Sequence, residues 1–182
     1  PEAAESLFAE VLERQPVNGV ARVGLVEALL SQRRWADAYA VAAEEPEGSP
    51  VARIAVSEML FASAVAGDQT ALAAALDRAD AAGVAPVVAG LYRAWAALLA
   101  GRQVPASLPE GAAEPALVAL EALLRVHEFD AFEQLLGLYG ICALDARERR
   151  ERLARLYLRR GFLASAAEEW GALAAERPDA DA

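Results

Sequence analysis

Apolar side chains return every three or four residues along this chain, and glycine, proline or capping residues interrupt the return at short distances. That is the pattern of many short amphipathic helices, whereas half-buried strands would alternate. The first predicted helix runs from about Pro1 to Arg14 and carries Leu7, Phe8, Val11 and Leu12. Asn18 is placed to cap a second, with Val23, Val26 and Leu30 at helical spacing and a turn at Arg33 and Arg34. Trp35, Ala38 and Ala42 begin its partner. Ser49 and Pro50 announce a fourth helix, a cap followed by proline in the first turn, which runs to Gly67. Leu72 and Leu76 mark the next, ended by Gly83, and Pro86 opens one that passes through Leu91, Trp95 and Leu98 to Gly101. Beyond it Pro105, Pro109 and Gly111 forbid a regular helix, so an irregular loop over Arg102 to Glu114 is expected in its place. Pro115 resumes the pattern with Leu117, Leu120 and Leu124, and Phe129, Phe132 and Leu136 form the partner helix. Asp145 and Glu148 make a capping-box start for the final pair.

The turns keep a period. Arg33, Gly67 and Gly101 are each 34 residues apart, and so are His127 and Gly161; between Gly101 and His127 there are 26, so one unit is eight residues short. Ala4, Phe8, Val11 and Pro16 at one end have the separations of Ala166, Trp170, Leu173 and Pro178 at the other. Together with Tyr157 ahead of Gly161, this pattern resembles the tetratricopeptide repeat. The resemblance implies an all-α fold, a right-handed α-solenoid of tetratricopeptide-type helical hairpins with one repeat interrupted by an irregular loop. A single array over 1–182 would then hold a half repeat at 1–16, repeats at 19–52, 53–86, 113–146 and 147–180, and a shortened one at 87–112. Ala166 is expected to face Tyr157, and Trp170 and Leu173 to turn inward. With the first member of its opening pair missing, the chain is expected to be part of a longer protein, and its first helix to offer an apolar face through which copies pair weakly.

Composition narrows the function. The apolar fraction of 56% is rich in alanine, which favours helix and brings helices close together. A net charge of −10 argues against a general nucleic-acid or anionic-membrane binder, either of which needs a basic surface. The apolar stretches Ile54 to Ala66 and Val84 to Ala100 do not read as membrane spans, the first being short and holding Glu58, the second having Arg93 at its middle. With one cysteine, Cys142, and one histidine, His127, neither an intrachain disulfide nor a Cys/His metal cluster can form, which fits a reducing cytoplasm. Arginine supplies every positive charge, so Schiff-base chemistry and a phosphate-loop lysine are excluded within the chain. No nucleophile elbow or glycine-rich phosphate loop occurs, and neither catalysis nor a cofactor is expected.

Two constellations are candidates for binding a partner. In tetratricopeptide folds the first helix of each pair lines the concave face, and one subclass holds a peptide carboxylate there with Lys, Asn and Arg. This chain has no lysine and only Asn18, so that clamp cannot be assembled. The corresponding central positions carry Ile54, Phe61, Val88, Leu91 and Trp95, an apolar strip suited to an apolar or amphipathic segment if it is exposed. The second candidate is the stretch from Asp145 to Gly161, where seven arginines meet Asp145, Glu148 and Glu151; Arg152, Arg155 and Arg159 share a stripe that would meet an acidic partner or a neighbouring domain. Glu148 with Arg152, and Glu151 with Arg155, are spaced as pairs on a solvated face. His127 reads as a surface turn residue, Cys142 as an apolar filler, and Glu44, Glu45 and Glu47 as a solvated run at a helix end.

The expected function is a non-catalytic interaction scaffold for a protein, a peptide or an adjoining domain of the same protein. A different class is suggested by Ala122–Leu123–Leu124–Arg125, Phe129–Asp130–Ala131–Phe132 and Tyr157–Leu158–Arg159–Arg160–Gly161–Phe162, which together resemble the repeat tail of some bacterial family 2 glycosyltransferases. That resemblance implies an accessory domain whose sugar-nucleotide and metal residues lie outside these 182 positions.

Overall fold

The structure, a computed structural model, describes residues 2–175; the expected roles of Pro1 and Pro178 lie outside the described residues. The described residues form helices and connections without strands: α1 (Glu2–Arg14), α2 (Gly19–Ser31), α3 (Trp35–Ala43), α4 (Ala52–Ala66), α5 (Gln69–Ala79), α6 (Pro86–Leu99), α7 (Ala113–Val126), α8 (Phe129–Gly140), α9 (Ala146–Arg159) and α10 (Leu163–Ala175). The fold is all-α. Two starts differ from expectation. α4 begins two residues after Pro50, because Ser49 closes a turn onto the Val51 N–H at 3.2 Å instead of capping the helix. α7 begins two residues before Pro115, which sits in the first turn where its missing N–H has no intrahelical role.

The period in the sequence is a period in backbone conformation. Arg33, Gly67, Gly101, His127 and Gly161 all lie in the left-handed region, with φ between 59° and 81°. At each, the next residue's N–H returns to the carbonyl five residues back: Arg34 to Leu29, Asp68 to Ser63, Arg102 to Ala97, Glu128 to Leu123 and Phe162 to Tyr157, at 2.8–3.0 Å. These are Schellman caps, which satisfy carbonyls the helix end would leave orphaned. After four of the five a new helix starts two residues later. After Gly101 none does, since Pro109 would fall inside it, without a donor and against the preceding turn.

The chain divides into two compact units, Pro1–Pro105 and Ala106–Ala182. In the first, each helix from α1 to α6 packs on the next, and α4 also touches α2 and α6. With four neighbours, α4 buries nearly its whole circumference, Val56, Met59, Leu60 and Ala62 among them. Ala38, Ala42 and Ala75 are fully buried, and a larger side chain at any of them would overpack the core. The ring of Phe8 lies over Gly24, at which an added Cβ would stand 2.5 Å from it. Leu7 remains 58% exposed on α1, while Phe8, Val11 and Leu12 are half-buried.

Glu45 corrects the expectation of a solvated acidic run. It is buried with Arg22, whose guanidinium donates to its carboxylate at 2.9 Å and to the Pro16 carbonyl at 2.8 Å. Gly19 makes the room, since a Cβ there would meet the Val51 side chain at 2.5 Å and Glu45 Oε1 at 2.9 Å. Arg78 of α5 in turn donates to the carbonyls of Ala43 and Glu45, closing the end of α3. Both partners come from other helices, beyond the reach of local sequence spacing.

In the second unit α7 pairs with α8, α9 with α10, and α7 touches α9. Leu120, Leu123, Leu135, Tyr139 and Leu156 form its core, with Leu135 fully buried and Leu136 only half so. The irregular segment supplies core of its own. Leu108 and Ala112 are buried, and the Leu108 N–H donates to the Ile141 carbonyl at 2.9 Å. Cys142 is buried beside that contact, as a filler should be, and burial pushes its thiol pKa up. Arg149 donates to the carbonyls of Cys142 and Leu144 and holds the turn into α9, which Asp145 caps through the N–H groups of Arg147 and Glu148. Glu148 does not complete the capping box; its carboxylate is taken by Arg152. Ala166 and Leu173 of α10 are buried as expected, whereas Trp170 is 39% exposed and only partly turned inward.

Candidate partner-binding groove

The apolar strip expected on α4 and α6 is not a presented surface. Leu91 and Trp95 are completely buried, Phe61 is buried edge-on against Trp35 with ring centres 6.1 Å apart, and Trp95 stacks on Tyr92 at 5.9 Å. Val88 is half-buried, and only Ile54, at 40%, is exposed. Helical spacing put these five on neighbouring faces, but α4 and α6 have neighbours on more than one side, so those faces became core.

The arginine stripe is a surface, and it does not stand alone. Arg152 pairs with Glu148 on its own helix at 2.6 Å and with Glu114 of α7. Arg155 reaches Glu151 at 3.5 Å, and Arg159 reaches Glu121 of α7 at 3.1 Å. Glu114 and Glu121 are seven residues apart on α7, as are Arg152 and Arg159 on α9, and the two cross-helix pairs keep their order. Only parallel helices allow that. Glu121 also accepts from Arg160. Partial burial pushes its carboxyl pKa up, but the Arg160 hydrogen bond and the two guanidinium charges outweigh this and leave it below the usual range. Hydrogen bonding to Glu148, then the Glu114 charge, raises that of Arg152.

Between α7 and α9 these pairs line a groove of about 450 Å³ whose apolar floor is Leu117 and Val118. Val118 is 69% exposed. Glu114 and Glu121 were not singled out from the sequence; their spacing of two helical turns was the available signal, but nothing local says that α7 and α9 are neighbours. The groove holds no nucleophile, and its ion pairs leave no carboxylate free of arginine to serve as a general base. Among the described residues no group of acidic, cysteine or histidine side chains is placed to hold a metal ion. No helix among them is long and apolar enough to cross a membrane. His127 is exposed at its left-handed turn, edge-on to Phe129. What the groove can do is grip a chain: apolar contact along its floor, paired charges along both rims.

Comparison with family models, characterised proteins and solved structures finds no match to this chain.

Proposed function

We propose that this chain is a non-catalytic interaction scaffold built from tetratricopeptide-type helical hairpins in a right-handed solenoid, and that it binds a segment of a partner protein, or of an adjoining domain, in the groove between α7 and α9. The observation that carries the reading is that groove, an exposed apolar floor between parallel first helices with the predicted residues Arg152, Arg155 and Arg159 along one rim. The Schellman turns, 34 residues apart from Arg33 to Gly67 to Gly101 and again from His127 to Gly161, support the repeat architecture. Ile54 and Val88 are a secondary surface at most, and a cytoplasmic setting remains the natural one for a chain with a single, buried cysteine.

The test is selection of a random peptide library on the immobilised full chain, followed by competition with Val118→Arg, a change on an exposed helix face that should leave folding intact. Enriched peptides should bind the variant at least tenfold more weakly. No enrichment, or equal binding to the variant, overturns the assignment.

One observation favours the glycosyltransferase-tail reading as a second possibility. All three stretches that carry the resemblance fall in the second unit, where Phe129 and Phe162 meet edge-on at 6.2 Å. Reading the coding sequence upstream of Pro1 decides it: a sugar-nucleotide-binding domain there supports that reading, and its absence removes it.

A further inference from the structure

Three recesses lie in line along α7 and α9, and their charge changes sign from one end to the other. At the helix N-termini a recess of about 330 Å³ gathers Glu110, Glu114, Asp145 and Glu148 against Arg152 alone, three negative charges in excess. The central groove shares Glu114, Glu148 and Arg152 with that recess and adds Glu121 and Glu151 against Arg155 and Arg159, which balance. At the C-termini a recess of about 260 Å³ is lined by Arg125 and Arg160 with no carboxylate in its wall; Arg160 is paired with Glu121 of the neighbouring groove, so Arg125 leaves one positive charge in excess. Arg125 is exposed and makes no ion pair among the described residues.

Helix dipoles favour acidic first turns and basic last turns, by about 0.3–1 kcal/mol for each charge, and that accounts for part of this order. It does not account for an exposed valine between the charged ends, nor for three successive recesses along the length of α7, roughly 20 Å at 1.5 Å per residue.

Resting on the scaffold reading above, we propose that the groove takes a charge-polarised segment of a partner protein: basic at one end, seated over Glu110, Glu114 and Asp145; apolar in the middle, on Leu117 and Val118; acidic at the other end, at Arg125 and Arg160. Arginine pairs a carboxylate through two parallel hydrogen bonds, so the acidic end gains both charge and geometry at the unpaired Arg125. A segment that is helical has the same preference built in, acidic at its N-terminus and basic at its C-terminus, and it therefore lies antiparallel to α7 and α9. An anionic bilayer fits the basic recess less well. Asp130, exposed beside Phe129, and the acidic recess at the far end would both repel a flat negative surface.

The experiment uses the full chain and synthetic peptides of one composition in two orders: an acidic block, a leucine-rich block and an arginine block in sequence, or the same charges interleaved. The block peptide should bind at least tenfold more tightly at low salt, and the gap should narrow as salt rises. Arg125→Glu, a change at an exposed side chain, should weaken the block peptide, and Arg125→Glu with Arg160→Glu should invert the preference towards a peptide basic at both ends; circular dichroism confirms that each variant is folded. If both peptides bind equally, the polarity is wrong and the scaffold reading stands. If neither binds, and library selection also fails, the scaffold reading falls with it. Binding to phosphatidylserine vesicles that is lost in Arg125→Glu, without binding to either peptide, overturns the proposal in favour of a membrane surface.

Discussion

If the 34-residue register is a register of left-handed turns, one substitution made at two glycines must act with opposite sign. Gly161 has φ of 81° and nothing within 4 Å of an added Cβ. Gly137, inside α8, has the same open space but ordinary helical backbone. Alanine at Gly161 meets the left-handed penalty of roughly 1–2 kcal/mol, offset by about 0.5–1 kcal/mol from a less free unfolded chain, a net loss near 1 kcal/mol. Alanine at Gly137 has no penalty and gains about 0.8–1 kcal/mol of helix propensity. The two variants should therefore differ by about 2 kcal/mol, or by roughly 4–8 °C in melting temperature for a chain of this size. Both positions lie in the second unit, so the same transition reports them. Melting followed by far-ultraviolet circular dichroism, repeated in urea, measures the gap, and Gly161→Asn should fall between wild type and Gly161→Ala because asparagine tolerates the left-handed region. Shifts of the same sign in the two alanine variants, or no loss at Gly161, would refute the turn assignment.

Truncating either member of the buried Arg22–Glu45 pair should destabilise the first unit by about 3–5 kcal/mol, and Arg22→Met with Glu45→Leu should recover most of it; single losses below about 1 kcal/mol in denaturant melts would show that the charges are not sealed from water. All four tyrosines have raised pKa values, chiefly through burial, that of Tyr139 to about 12. An acid whose folded pKa lies above its unfolded value of about 10 keeps its contribution to stability below that pH and loses it as pH climbs through the folded value, so alkaline unfolding should set in above about pH 10. Ultraviolet difference titration checks this, and tyrosinate appearing near pH 10 with the helical signal intact would contradict it. The exposed Leu7 face of α1 should drive weak self-association that persists or strengthens in high salt, whereas pairing through the arginines of α9 would weaken; light scattering across protein and salt concentration separates the two, and a monomer at millimolar protein excludes both.

The helices, their order and their turns were legible because each is specified locally. Asn18 and Asp145 cap through their own side chains a few residues on, and Gly67 and Gly161 stop helices with their own backbone freedom. Even Arg33 and His127, where glycine is absent, follow from the period. What the sequence could not decide was which apolar face meets water. Leu91 and Trp95 have the spacing of a surface stripe, and they are core only because α6 packs on both α5 and α4. Glu45 looks like one carboxylate in a solvated run until Arg22, 23 residues away, is brought against it. The arginine stripe of α9 was visible, but its meaning changed once the parallel packing of α7 set Glu114 and Glu121 opposite it. Periodicity reports how a helix divides its own surface; only the neighbouring helices determine which part of that surface is covered and which charges find a counter-charge.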